Sequence, residues 1–382
     1  MPELARSSLA LFIKMELIMI KSHTLGYPRV GLQRELKVAL ERHWRGEIGE
    51  RQLEEVGATL RQRHWAQQRD AGLDFVTVGD FAYYDQVANH IQLFGCEPAR
   101  FEFSGRESDL ARYFTLARGV ANEHGGDACC NHAHARPAGK PALEMTKWFD
   151  TNYHYLVPEF DHESAFTLAS GRLLGEVAEA MALGHVVKPV LIGPLTFLWL
   201  GKAKADGLDR LTLLEKLLPA YVQLLLQLRA AGVEWVQIDE PILGLDLPGA
   251  WVFAFERAYH TLNTAQVSLL LATYFSPLQE HLSLACKLPV AGLHIDAVRA
   301  PEELQSVVDW LPGHKVLSVG ILDGRNIWRA DLYKALQRLA PLAERRGQTL
   351  WLAPACSLLH TPLRRSDDAA IDPELRGWLA GA

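Results

Sequence analysis

The sequence predicts an α/β chain folded as a (β/α)8 TIM-like barrel, with a large insertion between its second and third strands. Three observations predict it. Short apolar runs rich in β-branched residues recur along the chain, each followed by a stretch with helical periodicity. The runs are nearly continuous in apolar residues rather than alternating, as befits strands buried on both faces of a parallel sheet. Eight such units occur, the number that closes a barrel of this kind.

In chain order the strands are expected at "HTLGYPRV" (23–30), "DFVTVGD" (74–80), "VVKPVLIG" (186–193), "VEWVQID" (233–239), "VSLLLATYF" (267–275), "GLHIDAV" (292–298), "KVLSVGIL" (315–322) and "TLWLAPAC" (349–356). Between the fourth and its predecessor, "LLEKLLPAYVQLLLQLRAAG" (213–232) carries the helical period and stops at a glycine. Strands four to eight follow one another at ordinary βα spacing. Residues 81–185 are far too many for one connection and are read as an insertion on the barrel. Its segment "GVANEHGGDACCNHAHARPAGKPA" (119–142) has loop composition. The final "DPELRGWLAGA" is expected to be the start of a last helix, for which the pattern calls for several more turns.

Residues 1–22 are expected to lie outside the fold, as a leader or a start-site artefact, with Met15 and Met19 as alternative starts. Lys14 and Glu16 interrupt the apolar run, and no small-residue cleavage site follows it. The run is also shorter than the roughly 20 residues needed to cross a bilayer. Residues 23–382 then form a single barrel domain.

Forty-five acidic against 39 basic side chains give a net charge of −6, which disfavours a nucleic-acid partner. Five scattered cysteines do not make a disulfide framework, so a reducing, cytoplasmic location is expected, with no membrane partner.

Barrel chemistry sits on the loops at the carboxyl ends of the strands. Asp80, Asp239, Glu240, Tyr274, Asp296, Asp323 and Cys356 occupy such places. The adjacent carboxylates of "QIDEP" (237–241) point to opposite sides of a strand, so they are not one catalytic pair. Either could serve a substrate, cap a helix or meet a cation. "CCNHAH" (129–134) offers Cys129, Cys130, His132 and His134 as zinc donors, but their spacing is too tight for a zinc knuckle. No H-E-x-x-H, G-x-S-x-G or phosphate-binding glycine loop is present.

"GYPRVGLQRELKVAL" (26–40) sets Arg34 and Lys37 together at i, i+3, away from the apolar stripe of Leu32, Leu36, Ala39 and Leu40. Near a helix start, backbone N–H groups and the helix dipole favour an anion. A plain surface helix, with Glu35 and Glu41 as partners, explains the same pattern.

Several stretches together resemble the amino-terminal half of cobalamin-independent methionine synthase. They are "HTLGYPRVGLQRELKVALERHWRG", "RQRHWAQQRDAGLDFVTVGDFAYYDQV", "EMTKWFDTNYHYLVPEF", "KPVLIGPLTFLWLGK", "EWVQIDEP", "GRNIWRADL" and "CSLLHTP". The resemblance runs from about residue 23 to 378. It implies a chain that holds the polyglutamate tail of 5-methyltetrahydropteroyl-polyglutamate, while a carboxyl-terminal barrel, in cis or in trans, binds zinc and homocysteine and transfers the methyl group. By that resemblance Arg34, Glu35, Leu36 and Lys37 form one tail-binding segment and Lys147 belongs to a second. The zinc donors of the catalytic barrel (His-x-Cys, Glu, Cys) fall here on Leu271, Thr273, Asp296 and Cys356. Asp239, Asp296 and Cys356 then read as relics of a duplication. No metal or other cofactor is expected in this chain, and the transfer is not expected from it alone. Two alternatives stand beside this expectation: a self-sufficient zinc methyltransferase using the 129–134 loop, and a free-standing binding or regulatory module.

Overall fold

The computed structural model describes residues 20–120, 139–361, 374 and 378–379. In chain order its elements begin with β1 (Lys21–Ser22), α1 (Glu35–Trp44), α2 (Glu50–Asp70), β2 (Val76–Val78), α3 (Gln86–Leu93) and α4 (Asp109–Arg118). Then come β3 (Met145–Lys147), β4 (His154–Leu156), β5 (Glu159–Phe160), α5 (Arg172–Ala182), β6 (Val187–Ile192), α6 (Pro194–Leu200) and β7 (Lys202–Ala203). The remainder are α7 (Leu214–Ala230), β8 (Trp235–Asp239), α8 (Gly249–Asn263), β9 (Ser268–Ala272), α9 (Leu282–Lys287), β10 (Gly292–Asp296), α10 (Glu303–Trp310), β11 (Val316–Leu322), α11 (Leu332–Arg346) and β12 (Leu350–Pro354).

Eight strands form one parallel sheet in the order β1-β12-β11-β10-β9-β8-β6-β2. Its two ends meet: the Asp74 N–H donates to the Ser22 carbonyl at 3.0 Å, and the Ser22 N–H donates to the Asp74 carboxylate at 2.7 Å. The sheet is therefore curled into a barrel, as the eight apolar runs predict. Every residue of β6 and β10 is buried, because helices cover the outside and side chains fill the lumen. At the amino-terminal end, Trp351 packs on Phe75 and Trp235, with ring centroids 5.0 and 4.6 Å apart, and closes the floor.

The first strand differs from the sequence expectation. It is Lys21–Ser22, not 23–30, so the barrel begins inside the segment set aside as a leader. In "HTLGYPRV" the His23 N–H still donates to the Leu352 carbonyl of β12 at 3.0 Å, but from Leu25 onward the stretch, which carries a Gly and a Pro, bonds to loops and side chains instead of to a ladder. Residues 79–186 lie between β2 and β6 and carry α3, α4, the β3–β4 hairpin, β5 and α5. Helix starts follow local chemistry. Asp85 accepts from the Val87 and Ala88 N–H groups, Ser108 from Ala111 and Asp331 from Lys334. The region 210–230 is apolar and long enough to cross a membrane by composition, yet Leu214, Leu217, Leu218, Tyr221, Leu224, Leu225 and Leu228 lie in the core.

Candidate functional site

After β1 the chain crosses the carboxyl end of the barrel as a strap. Gln237 on β8 donates to the Leu25 carbonyl at 3.1 Å. The Leu358 N–H, beyond β12, donates to the Gly26 carbonyl at 3.0 Å, and the Tyr27 N–H donates to Asp80, beyond β2, at 2.6 Å. Three separate parts of the barrel thus hold three consecutive residues. The strap runs so close that a Cβ on Gly26 would sit 2.4 Å from the Ser357 hydroxyl oxygen.

The strap then delivers the start of α1. Gly31 (φ +83°) and Arg34 (φ 60°, ψ 33°) both take the left-handed conformation, which a non-glycine residue adopts at a cost of about 1–2 kcal/mol. Local bonds hold it there: the Arg34 N–H reaches the Gly31 carbonyl at 3.0 Å and the Leu36 N–H the Val30 carbonyl at 3.1 Å. The Glu35 carboxylate accepts from the Gln33 N–H at 2.9 Å and pairs with Arg63 at 2.8 Å. Burial raises its pKa, but the Arg63 and backbone hydrogen bonds outweigh that and leave it below the ordinary value. A carboxylate of the chain already occupies the helix start, so an incoming anion meets side chains there rather than a bare N-terminus.

The four residues of this segment have different surroundings. Leu36 is 2% exposed and belongs to the core. Glu35 is engaged by Arg63. Arg34 and Lys37 are exposed; Lys37 meets Glu41 at a loose 3.7 Å, with 59% of its side-chain surface accessible. Among the described residues the Arg34 side chain has no hydrogen-bond or ion-pair partner.

Lys147 lies on β3, all three residues of which are exposed, opposite His154 of β4. Its neighbour Trp148 is buried and donates its backbone N–H to the Tyr153 carbonyl at 2.7 Å. Tyr153 in turn meets the strap: Arg29 Nη1 donates to its hydroxyl at 3.1 Å, and the guanidinium lies 5.3 Å from the ring centroid. Arg29 therefore joins the strap that leads to Arg34 with the hairpin that carries Lys147.

The barrel lumen beneath the strap is charged. Lys188 on β6 is wholly buried and donates to Gln237, whose amide donates to Asp239 at 2.7 Å. Tyr274 donates to the other Asp239 oxygen at 2.9 Å. Burial pushes the Lys188 pKa down and the Asp239 pKa up, against the attraction between opposite charges. Deeper in the lumen, His23 and His294 each lie 2.8 Å from the Ser318 hydroxyl, and burial lowers both imidazole pKa values.

Glu240 has a different task from its neighbour Asp239. It is buried at the start of α6 and accepts from the Leu195 and Thr196 N–H groups at 3.2 and 2.8 Å. Burial pushes its pKa up to about 8. Of the pair in "QIDEP", Asp239 faces the lumen cation and Glu240 caps a helix.

Residues 21–347 match the family model described as cobalamin-independent synthase, N-terminal domain. The chain belongs to the cobalamin-independent synthase N-terminal domain family. Among solved structures it is similar to a B12-independent methionine synthase from Shewanella sp. W3-18-1, with a TM-score of 0.57 and 14% identity over 82% of this chain and 84% of that one. It is also similar to a Listeria monocytogenes protein assigned as a vitamin-B12-independent methionine synthase, with a TM-score of 0.53 and 15% identity over 89% and 92%. A methyltransferase from Methanosarcina mazei aligns with a TM-score of 0.52 and 12% identity over 89% and 88%. At these identities the structural likeness bears on the barrel fold, and the family model carries the membership.

A cobalamin-independent synthase domain invites a test for zinc. The strand-matched donors do not fit it. Leu271 is an apolar residue buried in β9, and the Thr273 hydroxyl donates to the His294 carbonyl at 2.9 Å. Asp296 is saturated by the N–H groups of Phe275, Val298 and Arg299 at 3.1, 3.1 and 2.8 Å. Cys356 is 1% exposed, and burial drives its thiol pKa upward, away from the thiolate that a metal needs. Asp323 is paired with Arg299 at 3.0 Å. The 129–134 cluster lies outside the described residues.

The sequence reasoning did not single out Arg29 or Lys188. Each left a signal: a lysine inside the apolar run "VVKPVLIG", and an arginine in the turn "GYPRVG" ahead of the cationic helix.

Proposed function

We propose that this chain binds the polyglutamate tail of 5-methyltetrahydropteroyl-polyglutamate and presents the folate to a zinc-bearing methionine synthase barrel that carries out methyl transfer to homocysteine. The observation that carries this reading is the exposure of Arg34 just before α1, of Lys37 on α1 and of Lys147 on β3, while the acid between the first two is held by Arg63. Three cations without strong pairing among the described residues suit a ligand that is a string of carboxylates. The donor set at the barrel mouth supports a tail-binding role over thiol activation, since homocysteine needs a metal to become a thiolate at neutral pH. The buried free thiols of Cys96, Cys286 and Cys356 agree with a reducing, cytoplasmic setting.

Isothermal titration of the 382-residue chain with mono- and triglutamyl folate tests the reading. Tighter binding of the triglutamyl form, lost on Arg34→Ala and Lys147→Ala, is the expected result. Equal affinities in the unaltered chain reject it.

A further inference from the structure

Among the described residues Arg29, which holds a cation between the two tail-binding segments, is hydrogen-bonded to no carboxylate. Its hydrogen bond goes to the neutral Tyr153 hydroxyl, and no ion pair among the described residues includes it. The acid whose field it feels, Asp85, is committed elsewhere. Asp85 Oδ1 accepts from the Val87 and Ala88 N–H groups at 2.6 and 3.0 Å, and its Oδ2 accepts from Leu156 at 3.1 Å. On its inner side Arg29 lines a cavity of about 10 Å³ with Tyr27, Asp80 and Glu176, room for one water at most. Any larger anion must come from the outer side.

The field of Asp85 and the neighbouring tyrosines favours the charged guanidinium, yet its five N–H donors exceed the one bond made to Tyr153. The strap fixes its place, since Leu25, Gly26 and Tyr27 are bonded to the barrel. Two residues on, Gly31 accepts from Arg34, and on the other side Tyr153 is bonded to the residue after Lys147. A polyglutamate tail offers one free carboxylate per glutamyl unit and one more at its end. We infer that Arg29 is a third cationic contact for that tail, taking a carboxylate between those held by Arg34 and Lys37 and by Lys147. The inference rests on the tail-binding reading and adds to it a residue that counts glutamyl units.

The experiment is titration of the full chain with mono-, di- and triglutamyl folate at low and high salt. Arg29→Gln is expected to weaken triglutamyl binding about tenfold (about 1.4 kcal/mol), leave monoglutamyl affinity unchanged and reduce the salt dependence. Tyr153→Phe, which removes the hydroxyl but keeps the cation, is expected to stay within about threefold of the unaltered chain. An Arg29→Gln chain that keeps its preference for the longer tail overturns the inference. So does a Tyr153→Phe chain that loses as much, because Arg29 would then act only by holding the hairpin. If Arg29→Gln does not fold, Arg29→Lys decides: retained salt dependence supports the contact, and its loss overturns it. An unaltered chain indifferent to tail length removes the tail-binding reading, and this inference with it.

Discussion

Lys188 and Asp239 face each other inside the barrel through the amide of Gln237, which accepts from the lysine and donates to the carboxylate at 2.7 Å. The same amide donates to the Leu25 carbonyl at 3.1 Å. The buried charges and the strap over the barrel mouth are thus one hydrogen-bonded unit.

Removing the cation from that unit leaves Asp239 and Asp80 buried beside each other's field. Lys188→Met is expected to destabilise the fold by about 3–5 kcal/mol, the cost of an uncompensated buried charge. The double variant Lys188→Met, Asp239→Asn should recover part of the loss. Urea unfolding of the two single variants and the double one measures the coupling. Additive losses would show that the two residues do not interact.

The cap formed by Glu240 predicts a pH dependence with a definite sign. Its pKa rises from 4.5 to about 8 on folding because burial opposes the ionised form. Between those values the folded state binds the proton more tightly than the unfolded chain does, so this group's contribution to stability falls as pH rises through the window. Replacing it by glutamine removes the titration. Unfolding from pH 5 to 9 should show the unaltered chain losing on the order of 2–4 kcal/mol relative to Glu240→Gln. A pH-independent difference between them would contradict the assignment.

Within the cationic helix start, stability and binding are expected to separate residue by residue. Leu36→Ala should cost about 2–5 kcal/mol of stability, since its side chain is 2% exposed in the core. Arg34→Ala and Lys37→Ala should stay within about 0.5 kcal/mol in unfolding. Each of these two should nevertheless weaken triglutamyl folate binding about tenfold. Thermal melts and titrations of the three variants check it. A large stability loss at Arg34 would mean that its role is to hold the turn.

The thiols give a chemical test of the barrel mouth. Cys96, Cys286 and Cys356 are buried, and burial raises all three pKa values. Alkylation at pH 8, mapped by mass spectrometry, should leave them unmodified in the folded chain and modify them readily in denaturant. Fast labelling of Cys356 under native conditions would show a mouth open to solvent.

Much of this molecule was legible in local chemistry. Parallel strands buried on both faces must be apolar throughout, so the later strands stand out in the chain, and seven of the eight lie within the expected runs. The first did not follow the pattern. Two residues, Lys21 and Ser22, suffice as a strand because Asp74 and β12 supply the partners, and the apolar stretch after them serves as the strap.

The sequence by itself determined the barrel class and the cationic character of residues 34–37, because each is set by residue type and by period along the chain. Tertiary structure alone decided which charges are free. Glu35 is taken by Arg63, Glu240 by the start of α6 and Lys188 by Gln237, across separations of 28, 45 and 49 positions. It also set Arg29 between the strap and the hairpin, 124 positions from Tyr153. Pairing and burial depend on distance in space, and a pattern read along one chain does not contain that distance.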